Sequence, residues 1–83
     1  MTNNIFTLEQ INDTLDNAGI NATINSYDET LLVDDAVKAT INLEFGGKLI
    51  RLIITDDYSD DGYEDDRGSF NNVHDIVHEI ATY

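Results

Sequence analysis

The residues with the clearest chemistry lie in one acidic tract, residues 56–68, in which seven of thirteen side chains are carboxylates. Carboxylates lie about 5–6 Å apart at positions i and i+4 of a helix, and about 7 Å apart at positions i and i+2 of a strand. Either spacing offers the Lys and Arg side chains of a partner protein a regular row of negative charge. The acids are Asp56, Asp57, Asp60, Asp61, Glu64, Asp65 and Asp66.

Two tyrosines and two acidic pairs extend this candidate surface. Tyr58 and Tyr63 lie inside the tract, and a tyrosine side chain gives contact area at little entropic cost and stacks on arginine. We predict that the tract and these further residues bind a partner protein, and a solvated loop is the alternative interpretation of the tract. The additional acids are Asp28, Glu29, Asp34 and Asp35.

The same tract resembles the beginning of a calcium-binding loop, which places ligands at loop positions 1, 3, 5, 7 and 9 and glycine at position 6. Position 12 requires a bidentate Glu, but here it is Gly68. We therefore expect calcium to bind no more tightly than about millimolar, and we predict no metal site or cofactor. The residues at the first six of these positions are Asp57, Ser59, Asp61, Gly62, Tyr63 and Asp65.

Residues 74–78 resemble the zinc-binding helix H-E-x-x-H, with Asp75 in place of Glu. Zinc catalysis also needs a third ligand and a substrate cleft. The simpler interpretation is that His74 and His78 lie on the flank of a C-terminal helix, where the helix dipole favours cations. Since the sequence has no cysteine and no glycine-rich phosphate loop, we predict a protein that is not an enzyme.

The charge limits the class of partner. Seventeen Asp and Glu residues against four Lys and Arg residues give a net charge of −13. Nucleic acids and anionic membranes are bound through basic patches, so we expect neither as a direct partner. A basic protein, a cation and adaptation to high salt all remain compatible with the charge. Without a signal-peptide pattern at the N-terminus, we expect a cytoplasmic protein.

The elements that must position these residues begin with a helix. Thr7 and Gln10 have the spacing of a capping box, and Phe6 and Ile11 that of a hydrophobic staple. A glycine follows where a left-handed residue ends a helix. The predicted apolar stripe consists of Leu8, Ile11, Leu15 and Ala18.

A sheet is predicted next. Residues 22–27 form a first strand with Ala22 and Ile24 facing inward, whereas residues 28–35 either extend that strand or loop out. Residues 37–45 alternate between apolar and polar side chains up to Phe45, and Gly46-Gly47 predicts a hairpin turn before a return strand at residues 48–55. The predicted inward pairs are Leu43 with Ile50, Ile41 with Leu52, and Ala39 with Ile54.

A second helix is predicted after the tract, with Ser69 as N-cap. The predicted fold is a single α+β domain, residues 1–83, in the order α-β-β-β-α. We expect a three-stranded antiparallel sheet with both helices packed on one face. The apolar stripe of the second helix consists of Phe70, Val73, Ile76, Val77 and Ile80.

In length, charge and predicted element order, the chain resembles the small acidic anti-CRISPR proteins of phages. The resemblance extends to other DNA mimics, including uracil-DNA glycosylase inhibitors and antirestriction proteins, and depends on chain size and the acidic tract. It implies stoichiometric inhibition of an RNA-guided or other defence nuclease at its DNA- or PAM-binding site, in the cytoplasm of an infected cell. PAM-reading arginines bind guanine edges, and a carboxylate accepts the same bidentate hydrogen bonds.

Two other functions would use the same residues. One is that of an immunity protein or antitoxin, which neutralises a basic toxin nuclease with the same carboxylates. The other is that of a calcium-responsive adaptor, which would use the loop at residues 57–68.

Salt is expected to stabilise the protein. The excess negative charges repel each other more strongly in the compact state than in the unfolded chain, and the Debye length shortens to about 10 Å at 0.1 M salt. We expect the melting temperature to rise between low salt and about 0.2 M NaCl, by about 4–8 °C for each kcal/mol of repulsion that is screened. Thermal unfolding followed by circular dichroism measures this, and a flat or falling curve would contradict it.

Overall fold

The computed structural model describes residues 5–55 and 64–83, which form one antiparallel sheet and two helices. Two of the connections between strands are short, residues 26–29 and 35–37. The elements, in chain order, are α1 (Leu8–Asn17), β1 (Ala22–Asn25), β2 (Thr30–Asp34), β3 (Lys38–Glu44), a 3₁₀ turn (Phe45–Gly47), β4 (Leu49–Ile54), β5 (Asp65–Phe70) and α2 (Val73–Ala81).

The sheet has five strands in the order β1-β2-β3-β4-β5, so the predicted three-stranded sheet and α-β-β-β-α order are wrong, while the α+β class fits. The ambiguous residues 28–35 contain β2, whose Leu31 and Val33 are buried. The end of the acidic tract forms β5, which pairs with β4. Its segment Asp65–Phe70 has one large apolar residue, so no period-two pattern indicated a strand.

The predicted β3–β4 hairpin is confirmed at every inward pair. Because alternate residues point to opposite faces of a sheet, the pairing of β2, β3 and β4 gathers the apolar side chains of these three strands on one face. Together with two residues from each helix, they form the buried core. Its members are Ile11, Leu15, Leu31, Val33, Ala39, Ile41, Ile50, Leu52, Ile54, Ile76 and Ile80.

Both helices cover this apolar face, as predicted. The hydroxyl oxygen of Thr7 caps α1 by accepting a hydrogen bond from the Gln10 N–H at 3.2 Å. The N–H of Ile20 donates to the Leu15 carbonyl at 2.9 Å, and Gly19 takes a left-handed φ of 80°, as a helix C-terminus of this kind requires. Within residues 5–55 and 64–83, no helix is long and apolar enough to span a membrane.

The second helix begins later than predicted. Asn72 is its N-cap, accepting a hydrogen bond from the His74 N–H at 2.8 Å. Ser69 and Phe70 instead belong to β5, where Phe70 lies opposite Ile50. Phe70 packs against the core from the sheet. A single apolar residue has no periodicity, so the sequence could not distinguish the end of a strand from the start of a helix at Phe70.

Phe45 does not continue the inward row of β3, and its side chain is 74% exposed. Its positive φ of 52° ends the strand and begins the 3₁₀ turn. The chain closes tightly here because Gly46 and Gly47 also have positive φ. Gly47 is buried against the segment before α1, where its carbonyl accepts a hydrogen bond from the Phe6 N–H at 2.8 Å.

Alanine at the two turn glycines is expected to have unequal effects. Positive φ costs an L-residue about 1–2 kcal/mol, so Gly46→Ala, whose new methyl group meets open space, loses about that much stability. In Gly47→Ala the new Cβ lies 2.8 Å from the Phe6 carbonyl oxygen, which adds about 1–3 kcal/mol of overpacking. Urea unfolding of both variants measures the difference, and equal losses would contradict the close approach.

Candidate protein-binding surface

The predicted surface residues fall into two groups. Six of them, Asp56, Asp57, Tyr58, Asp60, Asp61 and Tyr63, lie outside the described residues. The structure describes the other seven, Glu64, Asp65, Asp66, Asp28, Glu29, Asp34 and Asp35.

A β-bulge in β5 decides where the end of the tract points. Leu52 pairs with Gly68 and Ile53 pairs with Asp66, so Arg67 is the extra residue. Gly68 has a φ of 92°, a conformation that bulges often assign to glycine. The extra residue places Asp66 on the sheet face away from the helices and turns Arg67 towards α2.

Arg51 holds Asp66 on the outer face of the sheet. Its guanidinium donates to the Glu44 carboxylate at 3.1 Å and to Asp66 through the other terminal nitrogen. The Ser69 hydroxyl and the Arg51 guanidinium, both donating to Glu44, lower the pKa of that carboxyl. Hydrogen bonds from Arg51 and from the Gly68 N–H lower the pKa of Asp66. Three strands are therefore joined through one cation.

Arg67 plays the equivalent part on the helix side. Its guanidinium donates to Asp65 at 2.8 Å and to Glu79 of α2 at 3.1 Å, and lies 5.9 Å from the centre of the Tyr83 ring. Hydrogen bonds to these two carboxylates raise the pKa of Arg67. Both arginines thus bind acids of this chain. Asp65 and Asp66 are two of the acids that they bind.

The pair Asp34–Asp35 lies where β2 ends, and Asp35 has a structural contact. Its carboxylate accepts hydrogen bonds from the Asn21 N–H at 2.9 Å and the Ala36 N–H at 2.8 Å. These bonds lower the pKa of Asp35, that from Asn21 most. The turn between β2 and β3 is thereby tied to the residue that precedes β1.

The structure separates the two predicted acidic pairs. Asp28 and Glu29 follow β1 in the turn of residues 26–29, and the Asp28 carboxylate accepts a hydrogen bond from the Asn25 amide at 3.1 Å. The turn at residues 35–37 lies at the opposite end of the sheet, because antiparallel neighbours reverse direction. The start of β5 also lies at that opposite end.

A further feature is the distribution of charge along the chain. No Lys, Arg or His occurs before Lys38. The preceding residues contain α1, β1 and β2, which occupy one lateral side of the fold, since β1 is an edge strand and α1 packs mainly over β1. The seven acids of this side are Glu9, Asp13, Asp16, Asp28, Glu29, Asp34 and Asp35.

Three of these acids form a row on α1. A shallow groove of about 320 Å³ separates α1 from α2, and Thr14 and Ala18 line its α1 side. Asn17 also lines that side. At 100° per residue, Glu9, Asp13 and Asp16 occupy the face of α1 opposite the buried Ile11 and Leu15, and they point towards solvent. All three are exposed.

We call these three residues, together with Asp28 and Glu29, the acidic flank. The α1 acids lie opposite the predicted apolar stripe, but the predicted surface did not include them. Their spacing of four and three residues and the lack of any cation before Lys38 were the signals that identify them.

Carboxylates arranged in this way accept hydrogen bonds from Lys and Arg side chains of a partner. Within the described residues, no three His, Asp or Glu side chains are grouped to hold a metal ion. His74 lines the groove between the helices, and most of the calcium-like loop lies outside the described residues.

Asp35→Asn is expected to lower the melting temperature near neutral pH. The folded pKa of Asp35 is below its ordinary value, so its stabilisation is present above about pH 4 and is lost as the pH falls through the folded pKa. The difference between wild type and variant therefore shrinks in acid. Glu29→Gln removes the same charge from an exposed turn and serves as control, with an unchanged or higher melting temperature. A pH-independent difference would contradict the linkage.

Comparison with known proteins identifies no family. No protein-family model, curated protein or solved structure matches this chain. The surface described above therefore carries the functional interpretation by itself.

Proposed function

We propose that this protein is a non-catalytic inhibitor of a basic nucleic-acid-binding protein, and that it presents carboxylates where its target binds phosphates. The observation that carries the proposal is the acidic flank, which belongs to a segment of the chain, residues 5–37, with no Lys, Arg or His. Arg51 and Arg67 lie in the other part of the chain and bind internal carboxylates. Neither arginine therefore binds a carboxylate of the flank.

The strength of such a surface depends on how many charges the partner desolvates. An exposed ion pair contributes about 0–1 kcal/mol, whereas close pairs in an interface reach coupling energies of about 1.5–7 kcal/mol. Glu9 and Asp13 lie one helical turn apart, a separation of about 5–6 Å. We propose that the side chains that bind successive phosphates in the nucleic-acid channel of the target contact successive acids of this row.

The target class follows from the charge and from the resemblance to small acidic anti-CRISPR proteins. We propose a DNA-processing enzyme, such as an RNA-guided nuclease of a host cell, whose DNA- or PAM-binding site the protein occupies. Arginines that read a PAM bind guanine through paired hydrogen bonds, which a carboxylate also accepts. Binding of this protein and of DNA would then be mutually exclusive.

The test combines capture with competition. Proteins retained by the immobilised chain from a bacterial lysate at low salt are identified, purified and titrated with fluorescent duplex DNA. We expect at least one to bind DNA and to release it when the acidic protein is added, with a salt-dependent affinity. If every retained protein binds DNA equally well in its presence, the proposal is wrong.

Matched charge variants locate the surface. Asp13→Asn removes one charge from the acidic flank, and Asp75→Asn removes one exposed charge elsewhere. We expect the first variant to raise the concentration needed for DNA release by about tenfold or more, equivalent to about 1.4 kcal/mol, and the second to change it little. Equal effects of the two variants would mean that DNA release depends on the net charge of the protein and not on the position of the acidic flank.

A further inference from the structure

The two edges of the sheet are built differently. At the β5 edge, the bulge at Arg67 interrupts the ladder, and the Asp66 carboxylate accepts a hydrogen bond from the Gly68 N–H at 2.9 Å. A bulge and side-chain cover are two of the means by which proteins block an edge strand. The β1 edge has a regular register against β2 without a bulge.

The register shows which backbone groups face the free side of β1. The N–H of Asp34 donates to the Asn21 carbonyl at 3.0 Å, so residues 21, 23 and 25 turn their backbone groups towards β2. The N–H and C=O groups of Ala22 and Ile24 consequently point outward. Within residues 5–55 and 64–83, no other backbone group bonds to them.

The acidic residues near this edge favour a partner strand that carries positive charge. Glu9, Asp13 and Asp16 are exposed on α1, which packs over the edge strand β1, and Asp28 and Glu29 lie in the turn that follows β1. Pairing of two β1 edges would bring two acidic flanks together, and like charges repel. A strand with Lys or Arg at alternate positions would instead direct its cations from one face towards the α1 acids.

An exposed aromatic ring completes the surface. Tyr27 lies two residues after the end of β1 and is 94% exposed. A tyrosine ring attracts an ammonium or guanidinium group that lies over its face.

We propose that the β1 edge binds an extended, cationic segment of a partner protein by strand addition. The backbone of that segment pairs with Ala22 and Ile24, and its alternate Lys or Arg side chains meet the acidic flank. The inference deepens the proposed function, from which it takes the basic character of the partner.

The probe is a short synthetic peptide in which Lys alternates with Thr, blocked at both ends, and its control has the same composition with the lysines contiguous. We expect the alternating peptide to bind more tightly and to slow hydrogen exchange at the Ala22 and Ile24 amides of the isotope-labelled protein. Binding without this protection, or equal binding of both peptides, would overturn strand addition.

Ala22→Pro tests the edge without breaking the ladder. Proline removes an N–H that points outward, a position at which edge strands tolerate it. The variant loses one backbone hydrogen bond to the peptide, and the proline ring keeps the peptide backbone further away. We expect the affinity for the alternating peptide to fall by about tenfold. Circular dichroism checks the fold of the variant, and hydrogen exchange of the wild type decides the question if the variant is unfolded.

The two proposals fail separately. If Ala22→Pro displaces DNA from a captured protein as well as the wild type does, strand addition is wrong and inhibition stands. If the peptide protects Ala22 and Ile24 but no captured protein loses DNA, the inhibitor proposal is wrong. Self-association of the free protein through β1 would be shown by sedimentation and by the same amide protection. It would overturn the proposal that a cationic segment of a partner occupies this edge.

Discussion

The fold depends on one apolar sheet face that must outweigh the mutual repulsion of an excess of thirteen negative charges. The buried hydrophobic residues form a single cluster, to which α1 and α2 contribute two residues each. No buried polar or charged side chain interrupts this cluster among the described residues. The carboxylates of residues 5–55 and 64–83 are therefore left outside this core, where water solvates them and salt screens them.

The two arginines decide which of these carboxylates are engaged. Arg51 joins β3, β4 and β5 through Glu44 and Asp66, and Arg67 ties the bulge of β5 to α2. Both serve the part of the fold that follows β2. The charge that they offset is thus local, since neither arginine binds an acid of α1, β1 or β2.

This division connects the fold with the proposed function. A surface that bears only carboxylates steers a basic partner towards it and disfavours a second copy of the same chain. It also makes an open strand edge tolerable, because the acids beside β1 oppose the self-pairing that open edges otherwise invite. Such an edge disfavours pairing with the β1 edge of a second copy of the chain, which is consistent with the basic partner that we propose.

The sequence by itself determined α1 and the β3–β4 hairpin, including its register, because their apolar residues recur with the period of the element. It also determined the net charge, from which we propose a basic partner. Only the tertiary structure revealed β5, whose residues have no strand period and become a strand by pairing with β4. It alone showed that Asp65 and Asp66 are bound by arginines, while α1, with Glu9, Asp13 and Asp16 exposed, packs over the edge strand β1. Ion pairs between distant residues and the order of strands depend on long-range packing that no local spacing encodes.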